Sequence, residues 1–383
     1  MRVLHVHSGN LFGGVETLLV ALARHRDVCP AMRPGFALCF VGRLASELTE
    51  LGRPPAILGA VRIRRPWTIV RARRRLAGVL RRERSEAVVF HGPWSYALFG
   101  GVVRRSGPAS VVWLHGPLRR AAWLDRLATR VPPDLVLCNS RFTERSLDAF
   151  AGPPRSAVVY PPLTMPPDPP DDRESSRAAL GAPPGTVVLV QVGRLDPMKG
   201  NREHLEALAL LRDVPGWVSW HVGGPQSAAQ RRHLRELQAA VHARGLNGRV
   251  RFLGERRDVA RVLRAGDIYV QPNTSPDAFG LSFVEAMLAR LPVVTSGCGG
   301  ALEVVDGSCG VLVPPADVVA LAGALRELLV DGPRRRALGA AGPARARALC
   351  DPSRQLPALD AALARVRRAG GPAAASPGAA SAP

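Results

Sequence analysis

Short apolar runs alternate with helix-length segments along this 383-residue chain, and the alternation is gone through twice. In the first half the runs are residues 2–8, Ala37–Val41, Ala56–Val61, Ala87–Phe90, Val111–Leu114, Leu135–Cys138 and Val158-Val159, with helical segments at Val15–His25, Leu44–Leu51 and Thr68–Arg84. In the second half they are Thr186–Val192, Val218–Val222, Val250–Leu253, Ile268–Val270, Val293–Thr295 and Val311–Val313, with helices ending near Leu211 and spanning Ala228–Ala243. Most of the runs are continuous in apolar residues instead of alternating in and out, which predicts parallel strands covered on both faces. Met165–Arg173, MPPDPPDDR, is too rich in proline and aspartate for a core element and reads as a linker.

The expected fold class is therefore α/β: two Rossmann-like, doubly wound domains facing each other across a cleft. The expected bounds are 1–165 for the first domain, 166–177 for the linker and 178–351 for the second. A C-terminal helix of about 352–368 packs back on the first domain. The tail 370–383 has no core-forming residue and is expected to be disordered.

Ligands of such sheets bind at the carboxyl ends of the strands. Four polar residues sit there in the first half: His7, His91, His115 and Asn139. His115 is favoured, because its strand lies deepest in the expected order. Gly13-Gly14 follows the first strand and opens a helix, so backbone can approach a phosphate there. The loop is not G-x-G-x-x-G, which lowers a nicotinamide-dinucleotide reading.

In the second half, Ser275–Gly300 reads as a loop, a helix ended by Pro292, a strand and a second glycine loop. Asp277 lies in the first loop, Phe279-Gly280-Leu281 leads into the helix, and Glu285 falls about one turn inside it. Two carboxylates flanking a helix N-terminus suit a ligand with both hydroxyls and phosphates. The alternative is a first-turn acid and a turn former.

Of 52 basic residues 51 are arginine, and the lone lysine is Lys199; against 31 acids the net charge is +21. Between Arg62 and Arg84 stand ten arginines and one acid, Glu83. This stripe fits an anionic membrane surface before nucleic acid, which is not an expected partner; a solvated helix face is the plain alternative. The six cysteines form no C-x-x-C pair, so a metal site or disulfide set is not expected. No apolar run approaches the roughly 18 residues of a membrane span. MRVLHVHSG lacks the shape of a signal peptide, so the expected location is the cytoplasm, peripheral on the inner membrane face if the stripe docks.

Gly193-Arg194-x4-Lys199-Gly200, the Gly223-Gly224-Pro225 turn, and Phe279-Gly280-Leu281 with Glu285-Ala286-Met287 come in an order and spacing that resembles the GT-B glycosyltransferases, specifically the retaining family 4 group. Gly13-Gly14, His115, Asn139-Ser140, Tyr160-Pro161-Pro162 and Phe252-Leu253-Gly254 extend the resemblance over most of the chain. It implies transfer of a sugar from a nucleoside diphosphate, UDP or GDP, to an acceptor hydroxyl. Arg194 and Lys199, with Gly193 and Gly223, would hold the diphosphate, and Glu285 the ribose hydroxyls. Asp277 and the amides of Phe279, Gly280 and Leu281 would hold the sugar. His115 would stand beside the anomeric carbon, under the Gly13-Gly14 loop. The resemblance also implies front-face attack; no metal-ligand cluster or D-x-D motif stands in the expected place, so neither a metal nor a cofactor is expected. The acceptor, a sugar, a lipid-linked molecule or a small molecule, would bind mainly to the first domain. One departure is Asp277, where the group carries glutamate; the shorter side chain bears on which sugar is held. A sugar-nucleotide 2-epimerase and a basic membrane- or nucleic-acid-binding protein on the same scaffold are the competing readings.

Overall fold

The computed structural model describes residues 1–9, 11–118, 125, 128, 130–149, 154–165 and 173–366. Most of the expected linker and the tail 370–383 lie outside the described residues.

The first sheet has seven strands: β1 Arg2–His7, β2 Arg33–Leu38, β3 Ala56–Ile57, β4 Ala87–His91, β5 Ala109–Leu114, β6 Leu135–Cys138 and β7 Ser156–Val158, in the order β3-β2-β1-β4-β5-β6-β7. The second has six: β8 Val187–Val192, β9 Trp217–Val222, β10 Val250–Gly254, β11 Ile268–Gln271, β12 Val293–Ser296 and β13 Gly310–Val313, in the order β10-β9-β8-β11-β12-β13. Every pairing in both sheets is parallel.

Successive side chains leave a strand on opposite faces, so each strand feeds two cores. On β4, Ala87 and Val89 join Leu18, Leu22 and Trp113 on one face, while Val88 and Phe90 join Leu76, Phe99 and Val112 on the other. In the second sheet Val188 and Val190 pack with Phe283 and Met287, and Leu189 with Leu205 and Leu325. Both sheets thus form the two facing Rossmann-like halves that the apolar runs predict.

The two halves are not cleanly separate in sequence. Leu356, Leu359, Ala362 and Leu363, from the helix Pro352–Ala364, lie in the same core as Leu18 and Leu19 of the first half. In the other direction, Leu163 packs in the second half's core, and its amide donates to the Cys350 carbonyl at 2.8 Å. Arg173–Arg177, read as the end of the linker, belong to the helix Arg173–Ala179, and both arginines pair with Asp267, at 2.6 and 2.9 Å.

Several bounds shift for physical reasons. β2 is Arg33–Leu38 and not Ala37–Val41, because its ladder to β1 runs from Arg2↔Arg33 to His7↔Leu38 and stops where β1 stops. β3 shrinks to two residues on the sheet edge. Pro292 does not end the helix Leu281–Leu288. Arg290 takes a left-handed conformation (φ 61°), Leu291 N donates to Ala286 O and Arg290 N to Met287 O, each at 3.0 Å, which is a Schellman closure. β4 and not β5 is the central strand, so His91 sits deepest and His115 one strand over.

Candidate functional site

Both sheets reverse their winding beside the first strand of each half, between β1 and β4 and between β8 and β11. A crevice opens at such a point at the carboxyl ends of the strands. The loops after β1 and β8 face each other there and bound a cleft of about 680 Å³. It is lined by Gly13, Gly14, His115, Gly193, Arg194, Lys199, Gly223, Asp277, Phe279, Gly280, Leu281 and Glu285, and by Asn139, whereas His7 and His91 lie behind its wall and do not line it.

On the first-half wall, Glu16 organises the glycine loop. It is buried in the first turn of the helix Gly14–Arg24; one carboxylate oxygen meets His7 Nε2 at 2.6 Å and the other accepts from Gly13 N at 2.9 Å. A methyl group added to Gly13 would stand 3.8 Å from Arg194 Nε, and one on Gly14 3.2 Å from Leu281 Cδ1. Gly14 therefore lets the loop close tightly against the opposite domain, while a side chain at Gly13 would make ordinary contact there. Phe12 fastens it: its amide donates to Gln226 Oε1 and its carbonyl accepts from Gln226 Nε2, both at 3.1 Å, with the Arg43 guanidinium 3.8 Å above its ring.

Behind His115 lies a chain of imidazoles. His115 Nε2 is 2.9 Å from His91 Nδ1, and His91 Nε2 is 3.0 Å from His5 Nδ1. The His91 and His115 rings are parallel within 3°. Burial holds His5 and His115 at about 3, and burial with the neighbouring imidazoles holds His91 well below the ordinary histidine value. All three are neutral, so in each of the two contacts one ring nitrogen donates and the other accepts, and His91 gives one hydrogen bond and takes one. The chain ends at His5 Nε2, which is buried with no partner among the described residues. A chain closed at its inner end cannot carry protons through; it fixes the ring of His115.

On the second-half wall, β8 runs into Gly193 and Arg194. Gly223 (φ 148°) sits so close that a methyl group on it would fall 1.9 Å from the Gly193 carbonyl oxygen. Lys199 ends a short 3-10 turn whose Asp196 carboxylate accepts from Met198 N at 3.2 Å, and Gln191 Nε2 holds the Lys199 carbonyl at 2.8 Å. Lys199 Nζ meets Asp277 Oδ2 at 2.5 Å, and the other Asp277 oxygen accepts from Ala278 N at 2.9 Å. Arg194 makes no ion pair among the described residues. Two cations thus stand at the N-terminal side of the helix Leu281–Leu288, whose first amides have no partner within the helix. Gly280 (φ 90°) allows the chain to enter that helix, and Phe279 before it stacks on Tyr160 with centroids 5.5 Å apart. Burial raises the Glu285 carboxyl from 4.5 to about 7.

Three participants escaped the sequence reading. His5 and Glu16 did so although a glutamate three residues after Gly13 is a helix-start signal. The third, Gln271 at the end of β11, is fully buried; its Oε1 accepts from Tyr269 Oη at 3.0 Å and Ser282 Oγ at 3.3 Å beside Glu285. Nothing in a buried glutamine's neighbours along the chain announces such a role. Arg73 and Arg75 of the arginine stripe are occupied structurally: Arg73 Nε donates to Leu98 O at 2.7 Å and Arg75 Nη1 to Leu58 O at 3.2 Å.

Residues 172–345 match the family model described as Glycosyl transferases group 1. The chain is 36% identical over 205 residues to the D-inositol 3-phosphate glycosyltransferase of Mycobacterium sp. (strain KMS), covering 52% of this chain and 46% of that protein. It is 30% identical over 234 residues to the lipopolysaccharide core biosynthesis mannosyltransferase LpsB of Rhizobium meliloti (strain 1021), covering 59% of this chain and 64% of that protein. The matched stretch thus spans about half to two thirds of these relatives' length. Among solved structures, Anabaena Alr3699/HepE in complex with UDP and glucose superposes with a TM-score of 0.83 at 22% identity, over 95% of this chain and all of that one. WaaG, a glycosyltransferase involved in lipopolysaccharide biosynthesis, gives 0.71 at 19% identity, over 97% of this chain and all of that one. The whole chain therefore has the GT-B fold, and its residues 172–345 carry the similarity to glycosyl transferases group 1.

Proposed function

We propose that the protein is a retaining glycosyltransferase of family 4, moving a sugar from a UDP- or GDP-sugar to an acceptor hydroxyl on a sugar, lipid-linked or small molecule. The observation that carries this is the convergence of Arg194, Lys199, the start of the helix Leu281–Leu288, Asp277 and Glu285 on one wall, with His115 and Gly13-Gly14 opposite. The donor's diphosphate lies on the cations and free amides, the ribose hydroxyls on Glu285 and the sugar on Asp277.

As the bond from the anomeric carbon to the diphosphate breaks, negative charge grows on the leaving phosphate. Arg194 supplies a planar fork, Lys199 a point charge and the helix start its dipole, all fixed before reaction. In this reading those groups do what a metal does elsewhere. The acceptor oxygen bonds the anomeric carbon on the face the phosphate leaves. Its proton goes to the departing phosphate oxygen. Two features support this front-face route. His115, with a conjugate acid at about 3, is too weak a base to take that proton. Asp277 is ion-paired to Lys199, which lowers its nucleophilicity and leaves it to accept from a sugar hydroxyl. The described cysteines are all free and five are buried, which suits a reducing compartment such as the cytoplasm.

The test is thermal stability against UDP, GDP, ADP and dTDP and their sugars, for the wild type and Lys199→Ala. Native-state binding raises the melting temperature by mass action, by about 2.7 kcal/mol of stability at a hundred times Kd. One base should stabilise the wild type, with the effect lost in the variant. No response to any nucleotide would refute the proposal.

A further inference from the structure

The arginine-rich segment resolves into a helix, Pro66–Glu83, with two unlike faces. At about 3.6 residues per turn, Ala72, Leu76, Val79 and Leu80 share one face, and all four are buried against the sheet. Trp67, Val70, Arg71, Arg74 and Arg81 share the opposite face. Trp67 is 60% exposed and Val70 46%, with Ile63, just before the helix, at 55%. Large apolar side chains open to solvent, set among cations, have no packing role here. Arg71, Arg74 and Arg81 make no ion pair among the described residues, nor do Arg62, Arg64 and Arg65 before the helix.

We infer that this face docks on an anionic lipid bilayer, with Trp67, Ile63 and Val70 entering the headgroup boundary and Arg71, Arg74 and Arg81 lying on the lipid phosphates. The mixture selects the partner. A nucleic acid rewards the cations and can stack on the indole but gives the aliphatic Ile63 and Val70 nothing, whereas a bilayer interface rewards cations, an indole and aliphatic side chains together on one plane. Position agrees with this. The helix joins β3 to β4, which run parallel in one sheet, so it starts at their carboxyl edge. Trp67 in its first turn therefore lies on the edge from which the cleft opens. Arg73 and Arg75, turned to backbone carbonyls, take no part.

The experiment is co-sedimentation with vesicles of phosphatidylcholine alone and of phosphatidylcholine with phosphatidylglycerol, across a salt series. The variants are Arg71→Ser/Arg74→Ser/Arg81→Ser, Trp67→Ser, and Arg231→Ser/Arg232→Ser/Arg235→Ser as a control with equal charge removed from the other domain. At roughly fivefold per arginine near the surface, the first variant should lose about a hundredfold in binding to anionic vesicles. Trp67→Ser should lose about tenfold, largely independent of salt. The control should bind like the wild type. Equal loss in both triple variants would assign the binding to bulk net charge and overturn the inference. So would failure of the wild type to sediment, or tighter retention on duplex DNA that the first variant abolishes. All substituted side chains are exposed, and melting temperatures check that each variant is folded. Vesicle binding needs no turnover, so the result stands apart from the sugar-transfer reading.

Discussion

Glu285→Gln separates the cost of the site from its use. Burial raises the Glu285 carboxyl from 4.5 to about 7, so the folded protein resists ionising it. Below about pH 4.5 the group is protonated in both the folded and unfolded chain and contributes nothing. Between about 4.5 and 7 the unfolded chain has lost the proton and the folded one keeps it, so stability falls as pH rises. Above about 7 both are ionised and the loss is complete. At about 1.4 kcal/mol per pH unit this amounts to about 3 kcal/mol, an upper bound because Glu285 keeps some contact with the open cleft. Glutamine has no such charge to bury. The variant should match the wild type near pH 4.5 and exceed it by up to about 3 kcal/mol at pH 8, or about 6–12 °C in Tm for a domain of this size. Urea denaturation and thermal melts of both proteins across that range are the assay. Nucleotide binding should move the other way: the carboxylate accepts from ribose hydroxyls, so wild-type affinity should rise with pH through about 7 and the variant should lose affinity at pH 8. A stability difference that does not change with pH, or one larger in acid, would refute the reasoning.

Two further outcomes test the opposite ends of the phosphate site. Asp277→Asn releases Lys199 from its 2.5 Å partner, so calorimetry should find nucleoside diphosphate without sugar bound about tenfold tighter, while sugar transfer drops at least about a hundredfold; unchanged diphosphate affinity would deny Lys199 its phosphate role. Gly223→Ala puts a methyl group 1.9 Å from the Gly193 carbonyl at a φ of 148°, so denaturation should show at least about 2 kcal/mol lost and nucleotides should no longer raise the Tm.

Much of this was readable along the chain because parallel strands buried on both faces are written as unbroken apolar runs. Val187–Val190 and Val88–Phe90 are such runs. The glycines were legible for a related reason. Gly223 and Gly280 stand where backbone must pass close to backbone or take a left-handed turn, and only that residue tolerates it. Strand ends were less legible, since β2 stops where its partner β1 stops and that partner lies about thirty residues away.

What the sequence determined, then, was the set of strands and the glycine turns, from local pattern, and most of the residues that reach the cleft, through the spacing that resembles the GT-B glycosyltransferases. Tertiary structure alone decided how those residues are held. It strung His5, His91 and His115 into one neutral chain, paired Lys199 with Asp277 across 78 positions, and locked Phe12 to Gln226 across 214. It also parted Arg71 and Arg74, which face solvent, from Arg73 and Arg75, which serve backbone carbonyls. Hydrogen bonds and ion pairs act over about 3 Å of space and carry no signature along the chain, so only the folded arrangement can say which of several like residues makes them.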